Sequence, residues 1–147
     1  MQGSEDFLRG KVAVITGASK GLGRAMAVAL GGAGIRVLLV ARNEGQLAET
    51  RSLVEAAGGQ AEAFPADITV EASVRALETH LREAYGAVHI LINNAGVNLR
   101  KPVTDFTLDE WNWVLTTNVT SAFLMTRACV PLMKGHGYGR ILMMTSM

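Results

Sequence analysis

Short continuous apolar runs alternate along this chain with polar stretches of helical period. The residues Val12-Ala13-Val14-Ile15 close a run that begins at Lys11, and Ile35 to Val40 reads IRVLLV. Apolar and β-branched runs of this length, broken only by Arg36 in the second, suit strands covered on both faces, since a half-exposed strand would alternate. A weaker run at Ala61 to Pro65 and stronger ones at Val88 to Ile92 and Arg140 to Thr145 predict three more strands. Between them, Arg24 to Leu30 is rich in alanine and stops at Gly31-Gly32-Ala33-Gly34, while Glu44 to Ala57 stops at Gly58-Gly59. Both read as helices ended by glycine. Val70 to Tyr85 places Val74, Leu77 and Leu81 on one side of a helix. Thr107 with Glu110 three residues on predicts a capping box, opening a long helix to about Lys134 with a kink expected at Pro131. Strands alternating with helices imply right-handed crossovers. The expected fold class is therefore α/β: a doubly wound, mostly parallel sheet with helices on both faces, a three-layer α/β/α sandwich.

Composition narrows the function. At 147 residues and 49% apolar content the chain is one domain's worth, and its net charge of +1 is spread along the sequence. That argues against nucleic acid as a partner, which calls for a basic stripe. No apolar run reaches the length of a membrane span, so no membrane association is expected. Residues 1–10 read as a polar tail without the apolar core of a signal peptide, and Cys129 is the only cysteine, so a reducing, cytoplasmic setting is expected. His80, His89 and His136 are not spaced as ligands, and no metal site is expected. Trp111, Trp113, Phe123, Leu124 and Met125 read as core or subunit-interface residues, and Cys129 as a small buried hydrophobe.

Candidate chemistry starts at Thr16-Gly17-Ala18-Ser19-Lys20-Gly21-Leu22-Gly23, between the first strand and the first helix. A glycine turn into a helix start offers free N–H groups and the positive end of a helix dipole to an anion. The spacing is GxxxGxG, which is neither the GxGxxG fingerprint nor a Walker A loop. With Thr16 in front it resembles the TGxxxGxG cofactor motif of the short-chain dehydrogenases/reductases. Three further stretches match that family in order: Asp67-Ile68, Asn93-Asn94-Ala95-Gly96, and Gly139-Arg140-Ile141 leading to Ser146. Asn118, in Thr117-Asn118-Val119, matches the family's active-site asparagine.

The resemblance implies a Rossmann-like, NADP-binding domain over residues 11–147. Gly17, Gly21 and Gly23 would clear space for a pyrophosphate at the helix start, with Ser19 adding a hydroxyl and Leu22 lying between the last two glycines. Asp67 and the backbone at Ile68 would hold adenine, and Asn94, Ala95 and Gly96 would line the cofactor's other side. The end of the second strand carries Ala41-Arg42 where NAD-selective relatives place a carboxylate, and Lys20 could reach the same side. Two cations and no carboxylate favour the 2′-phosphate, so NADP(H) is expected over NAD(H). The implied activity is hydride transfer between cofactor and a small carbonyl or alcohol. Ser146 would bond the substrate oxygen, and Asn118 would support a water that links to the catalytic lysine. The family's Tyr-x-x-x-Lys pair is missing: Tyr85 precedes His89 at that spacing, and Tyr138 precedes Leu142. A truncated, inactive portion of a longer homo-oligomeric enzyme is therefore expected. The alternative is a short product that binds nucleotide or a partner subunit without catalysis. Gly96 to Arg100 and Ser146-Met147 loosely resemble sugar-acid dehydrogenases, with oxoacyl carrier-protein reductases a close competitor, and leave the substrate open.

Overall fold

The computed structural model describes residues 6–146. Five strands form one parallel sheet: β1 (Val12–Thr16), β2 (Arg36–Ala41), β3 (Gln60–Pro65), β4 (Ile90–Asn93) and β5 (Arg140–Met143), in the order β3-β2-β1-β4-β5. Crossovers run through α1 (Gly21–Gly32), α2 (Glu44–Ala56), α3 (Glu71–Ala84), and the pair α4 (Leu108–Leu115) and α5 (Ser121–Met133). The chain winds outward from β1 to β3, then returns to β4 on the other flank of β1. That reversal opens a crevice at the C-terminal ends of β1 and β4, where sheets of this kind bind ligands.

Strand period divides the core in two. Val14, Leu38, Val40 and Leu91 point to the face covered by α3 and α5, where they meet Val74, Leu77, Leu81, Leu124 and Cys129. Ala13, Ile15, Val37, Leu39, Ile90 and Ile92 point the other way, against Ala27, Leu47 and Val54 of α1 and α2. Alternate residues of each strand serve opposite layers, which is why Val12–Ile15 and Val37–Val40 are apolar without interruption, while Arg36 at the start of β2 is exposed. Burial pushes the Cys129 thiol up to about 12, as suits a residue acting as a hydrophobe.

Part of the expected tail lies outside the described residues, namely 1–5; residues 6–8 form a helical turn, and Phe7 packs edge-on against Tyr138 at 5.1 Å. The expected capping box is present: Thr107 Oγ1 accepts from the Glu110 N–H at 3.1 Å, and the Glu110 carboxylate accepts from the Thr107 N–H at 2.9 Å. The expected single long helix is instead two, joined by a π-helical turn at Thr116–Thr120, while Pro131 falls inside the last turn of α5. β5 ends at Met143 rather than Thr145, and all four of its residues are exposed. No helix among the described residues is long and apolar enough to cross a membrane.

Candidate functional site

A cleft of about 1200 Å³ opens over the C-terminal ends of β1 to β4. Its floor takes in Gly17, Ser19, Lys20 and Gly21 from the glycine turn, and Arg42 from the end of β2. Asp67 and Ile68 line it beyond β3, and Asn94, Ala95 and Gly96 beyond β4. Four stretches separated in sequence thus converge on one concavity. The turn is held up to it by Thr16, a buried residue whose Oγ1 accepts from the Asn94 and Ala95 N–H groups at 3.0 Å each and donates to Ile92 O. The Asn94 side chain returns the contact by donating to Gly17 O at 3.2 Å.

Two of the glycines are required by the fold itself. Gly17 has φ +63°, and a Cβ there would meet the Ala95 backbone at 3.0 Å. A Cβ on Gly23 would lie 2.2 Å from Gly17 O, so the helix start can pack against the turn only without a side chain. The space expected to be cleared for a ligand is therefore the turn's own space at Gly23. Gly21, at φ +56°, does face open space. The N-cap of α1 is Lys20, with no side-chain cap and no acid in the first turn. A helix start left this way keeps its orphan N–H donors and its positive dipole end for an anion.

Charge at the β2 end is as the sequence reads: Ala41, Arg42 and Lys20 line the cleft there, with Asn43 beside them and no carboxylate from that strand end. Asp67 is not the cap of α3, which is Val70. Its Oδ1 accepts from the Thr69 hydroxyl at 2.6 Å and the Thr69 N–H at 3.0 Å. Those two donors, reinforced by the positive charge of Arg42 and opposed by partial burial, hold the carboxyl below its ordinary range.

Four expected site residues stand outside the cleft lining. Leu22 is exposed and Gly23 is buried beneath the turn. Asn118 sits in the π-helical turn, where its Oδ1 accepts from the Val97 N–H at 2.7 Å and its Nδ2 donates to Val97 O at 2.8 Å. Ser146 is exposed beyond the end of β5. The sequence reading also missed a wall of the cleft made by Asp109, Asn112, Trp113 and Thr116. These follow i, i+3, i+4, i+7 spacing, one face of a helix, and that spacing was the available signal. Leu124 and Met125 are core as expected, whereas Trp111 and Phe123 are exposed and Trp113 belongs to the cleft. No cluster of three or more metal-ligating side chains occurs among the described residues.

Known proteins share this arrangement. The family model described as short chain dehydrogenase matches residues 11–147. A ketoacyl reductase of a Nostoc strain, HetN, is 36% identical over 140 residues, covering 95% of this chain and 49% of that protein. A metagenomic short-chain oxidoreductase solved in complex with NADP superposes with a TM-score of 0.87 at 37% identity, over 91% of this chain and 61% of that one. A short chain dehydrogenase/reductase from Burkholderia phymatum, solved with NAD, gives 0.85 at 37% identity, over 91% and 48%. The chain spans about half the length of the curated relatives it matches. On the motif order, the switch-point cleft and these matches together, the chain belongs to the short chain dehydrogenase family of oxidoreductases.

Proposed function

We propose that residues 11–147 form the nucleotide-binding domain of an NADP(H)-dependent oxidoreductase acting on a small carbonyl or alcohol substrate. The observation that carries this reading is the pairing of an uncapped helix start at Lys20 with Arg42 on the same cleft, without a carboxylate at the end of β2. Gly21 and the first N–H groups of α1 would take the pyrophosphate, with Ser19 as an added donor and Leu22 shielding one side. Gly17 and Gly23 let the turn lie low enough for that approach. Arg42 and Lys20 would hold the 2′-phosphate through charge-assisted bonds, for which a planar guanidinium is well suited. Asp67 and the Ile68 backbone would meet adenine, while Asn94, Ala95 and Gly96 would flank the ribose toward β4. The bound nicotinamide supplies a hydride donor or acceptor. Ser146 is assigned to the substrate oxygen. Asn118 is assigned to the family's water link, and its two hydrogen bonds to the Val97 backbone steady the wall beside it.

General acid–base catalysis commonly contributes about 10²–10⁴-fold, and this sequence holds no Tyr-x-x-x-Lys pair to supply it. The 147 residues alone therefore bind nucleotide without turnover. The exposed apolar side chains of Trp111, Val119 and Phe123 support homo-oligomer formation through the α4–α5 face. A cytoplasmic setting accords with the single, buried cysteine. The test is a fluorescence titration of the purified chain with NADPH and NADH. NADPH binds more tightly if the reading holds; equal or tighter NADH binding contradicts the cofactor choice, and steady NADPH oxidation contradicts the inactivity.

A further inference from the structure

Below the glycine turn, at the edge of the cleft, lies a polar knot that none of the motifs accounts for. Thr50, on α2, is a fully buried polar residue. Its Oγ1 lies 2.9 Å from Ala18 O, 3.1 Å from Gln46 O and 3.3 Å from Ser19 O, and accepts from Arg24 Nε at 2.9 Å. Arg24, in the first turn of α1, extends its Nη2 to Ser19 O at 2.7 Å, Gln46 O at 3.3 Å and Glu49 at 3.0 Å. One hydroxyl and one guanidinium thus tie the two carbonyls at the crown of the turn to the first two turns of α2.

This knot joins the two places that carry the cleft's cations. Lys20 follows Ser19 directly, while Arg42 and Asn43 lead into α2, where Asn43 Oδ1 caps the Gln46 N–H at 2.9 Å. Gln46 is the hinge between them: its side lines the cleft, its N–H is held by Asn43, and its carbonyl is within reach of both Thr50 and Arg24. The Arg24–Glu49 ion pair is solvent-facing on the Glu49 side, and such pairs contribute little. The carbonyl contacts have more influence, because Ala18 and Thr50 are fully buried and their polar groups have no water to fall back on.

We propose that Arg24 and Thr50 are positioning residues that set the height of the glycine turn and the separation of Lys20 from Arg42. Through these they govern nucleotide affinity and the preference for a 2′-phosphate, without touching the nucleotide. The proposal rests on the nucleotide-binding reading above, and its test separates the two. Thr50→Val keeps the shape but strips the hydroxyl. Thr50→Ser restores it. Arg24→Lys keeps the charge near Glu49 but loses the fork that also reaches Thr50, Ser19 and Gln46, and it stands in if Thr50→Val does not fold.

The first readout needs no ligand. Hydrogen exchange of the Ala18 and Arg24 amides, bonded to Val40 O and Lys20 O, reports the order of the turn in the nucleotide-free chain. Faster exchange at both in Thr50→Val and Arg24→Lys, returning to the parent rate in Thr50→Ser, is expected. Unchanged exchange overturns the knot. The second readout is affinity: NADPH binding weakens about fivefold or more, NADH binding weakens less, and the preference between them narrows. Looser exchange with an unaltered NADPH to NADH ratio overturns the positioning role. A parent chain that binds neither nucleotide contradicts the proposed function instead, while the exchange comparison still decides the knot.

Discussion

The two ends of the parallel sheet treat their polar groups in opposite ways. At the N-terminal ends of the strands nearly everything is tied back into the protein. The Val12 N–H donates to His89 Nδ1 at 3.0 Å, the His89 N–H donates to Val12 O, and the Arg140 N–H donates to His89 O. Lys11 stands over the rings of Phe7 and Tyr138, and Arg140 over Tyr138. At the C-terminal ends the turn leaves the start of α1 uncapped, and Lys20 and Arg42 line a cleft. One end ties its donors into the fold, and the other leaves them open on the cleft. Parallel strands make this division natural, since the helix that follows each strand starts at the C-terminal end of the sheet.

The largest expected effect breaks the ligand end through its packing. Gly23→Ala places a Cβ 2.2 Å from a backbone oxygen that is itself held by Asn94. Overpacking of this kind costs about 1–3 kcal/mol, so a loss of NADPH affinity approaching about 100-fold is expected by titration, with the sheet's circular dichroism retained. Arg42→Asp sharpens the electrostatic side of the contrast. Removing a charge-assisted bond costs about 1.5–3 kcal/mol, so NADPH binding falls about 10–100-fold while NADH binding holds or improves. An unchanged preference in competitive titration places selectivity elsewhere.

The smallest effect probes the opposite end. His89 Nδ1 accepts a backbone N–H, so the ring is neutral at that nitrogen. Partial burial, with Lys11 and His136 nearby, lowers its pKa below 6.5 in the folded chain. The unfolded chain then binds more protons in the window just below 6.5, so stability is full above that value and falls as pH drops through the folded-state pKa. Thermal unfolding between pH 7.5 and pH 5, ~0.5-unit steps, should show a steeper loss in the parent than in His89→Asn, whose amide oxygen can accept the same N–H without titrating. Equal slopes contradict the assignment, and NADPH affinity at pH 7.5 stays unchanged in the variant.

The sheet and its layers were legible because two-sided burial leaves no polar position in Val12–Ile15 or Val37–Val40, and glycines mark where helices stop. The cleft was legible where the backbone demands a residue type, as at Gly17, and where a charge stands at a strand end, as at Arg42. Asn118 matched the family's asparagine in sequence, but the π-helical turn that carries it was not legible, since no residue type announces a local gain of one residue. Trp113 was assigned to core or subunit-interface packing, yet its i, i+3, i+4, i+7 partners Asp109, Asn112 and Thr116 are all polar. The knot of Arg24 and Thr50 was hidden for another reason. Besides the direct Arg24–Thr50 bond it rests on carbonyls, and carbonyl positions have no residue type to betray them.

The central claim is that the open start of α1 and the cations beside it bind a dinucleotide phosphate. Titration of NADPH into the isotopically labelled chain, followed by amide resonances, tests it most directly. The account predicts the largest saturable shifts at Ser19, Lys20, Gly21, Gly23 and Arg42, with His89 and Arg140 at the other end of the sheet undisturbed. Shifts centred on the N-terminal strand ends, or none at the glycine turn at saturating NADPH, would contradict it.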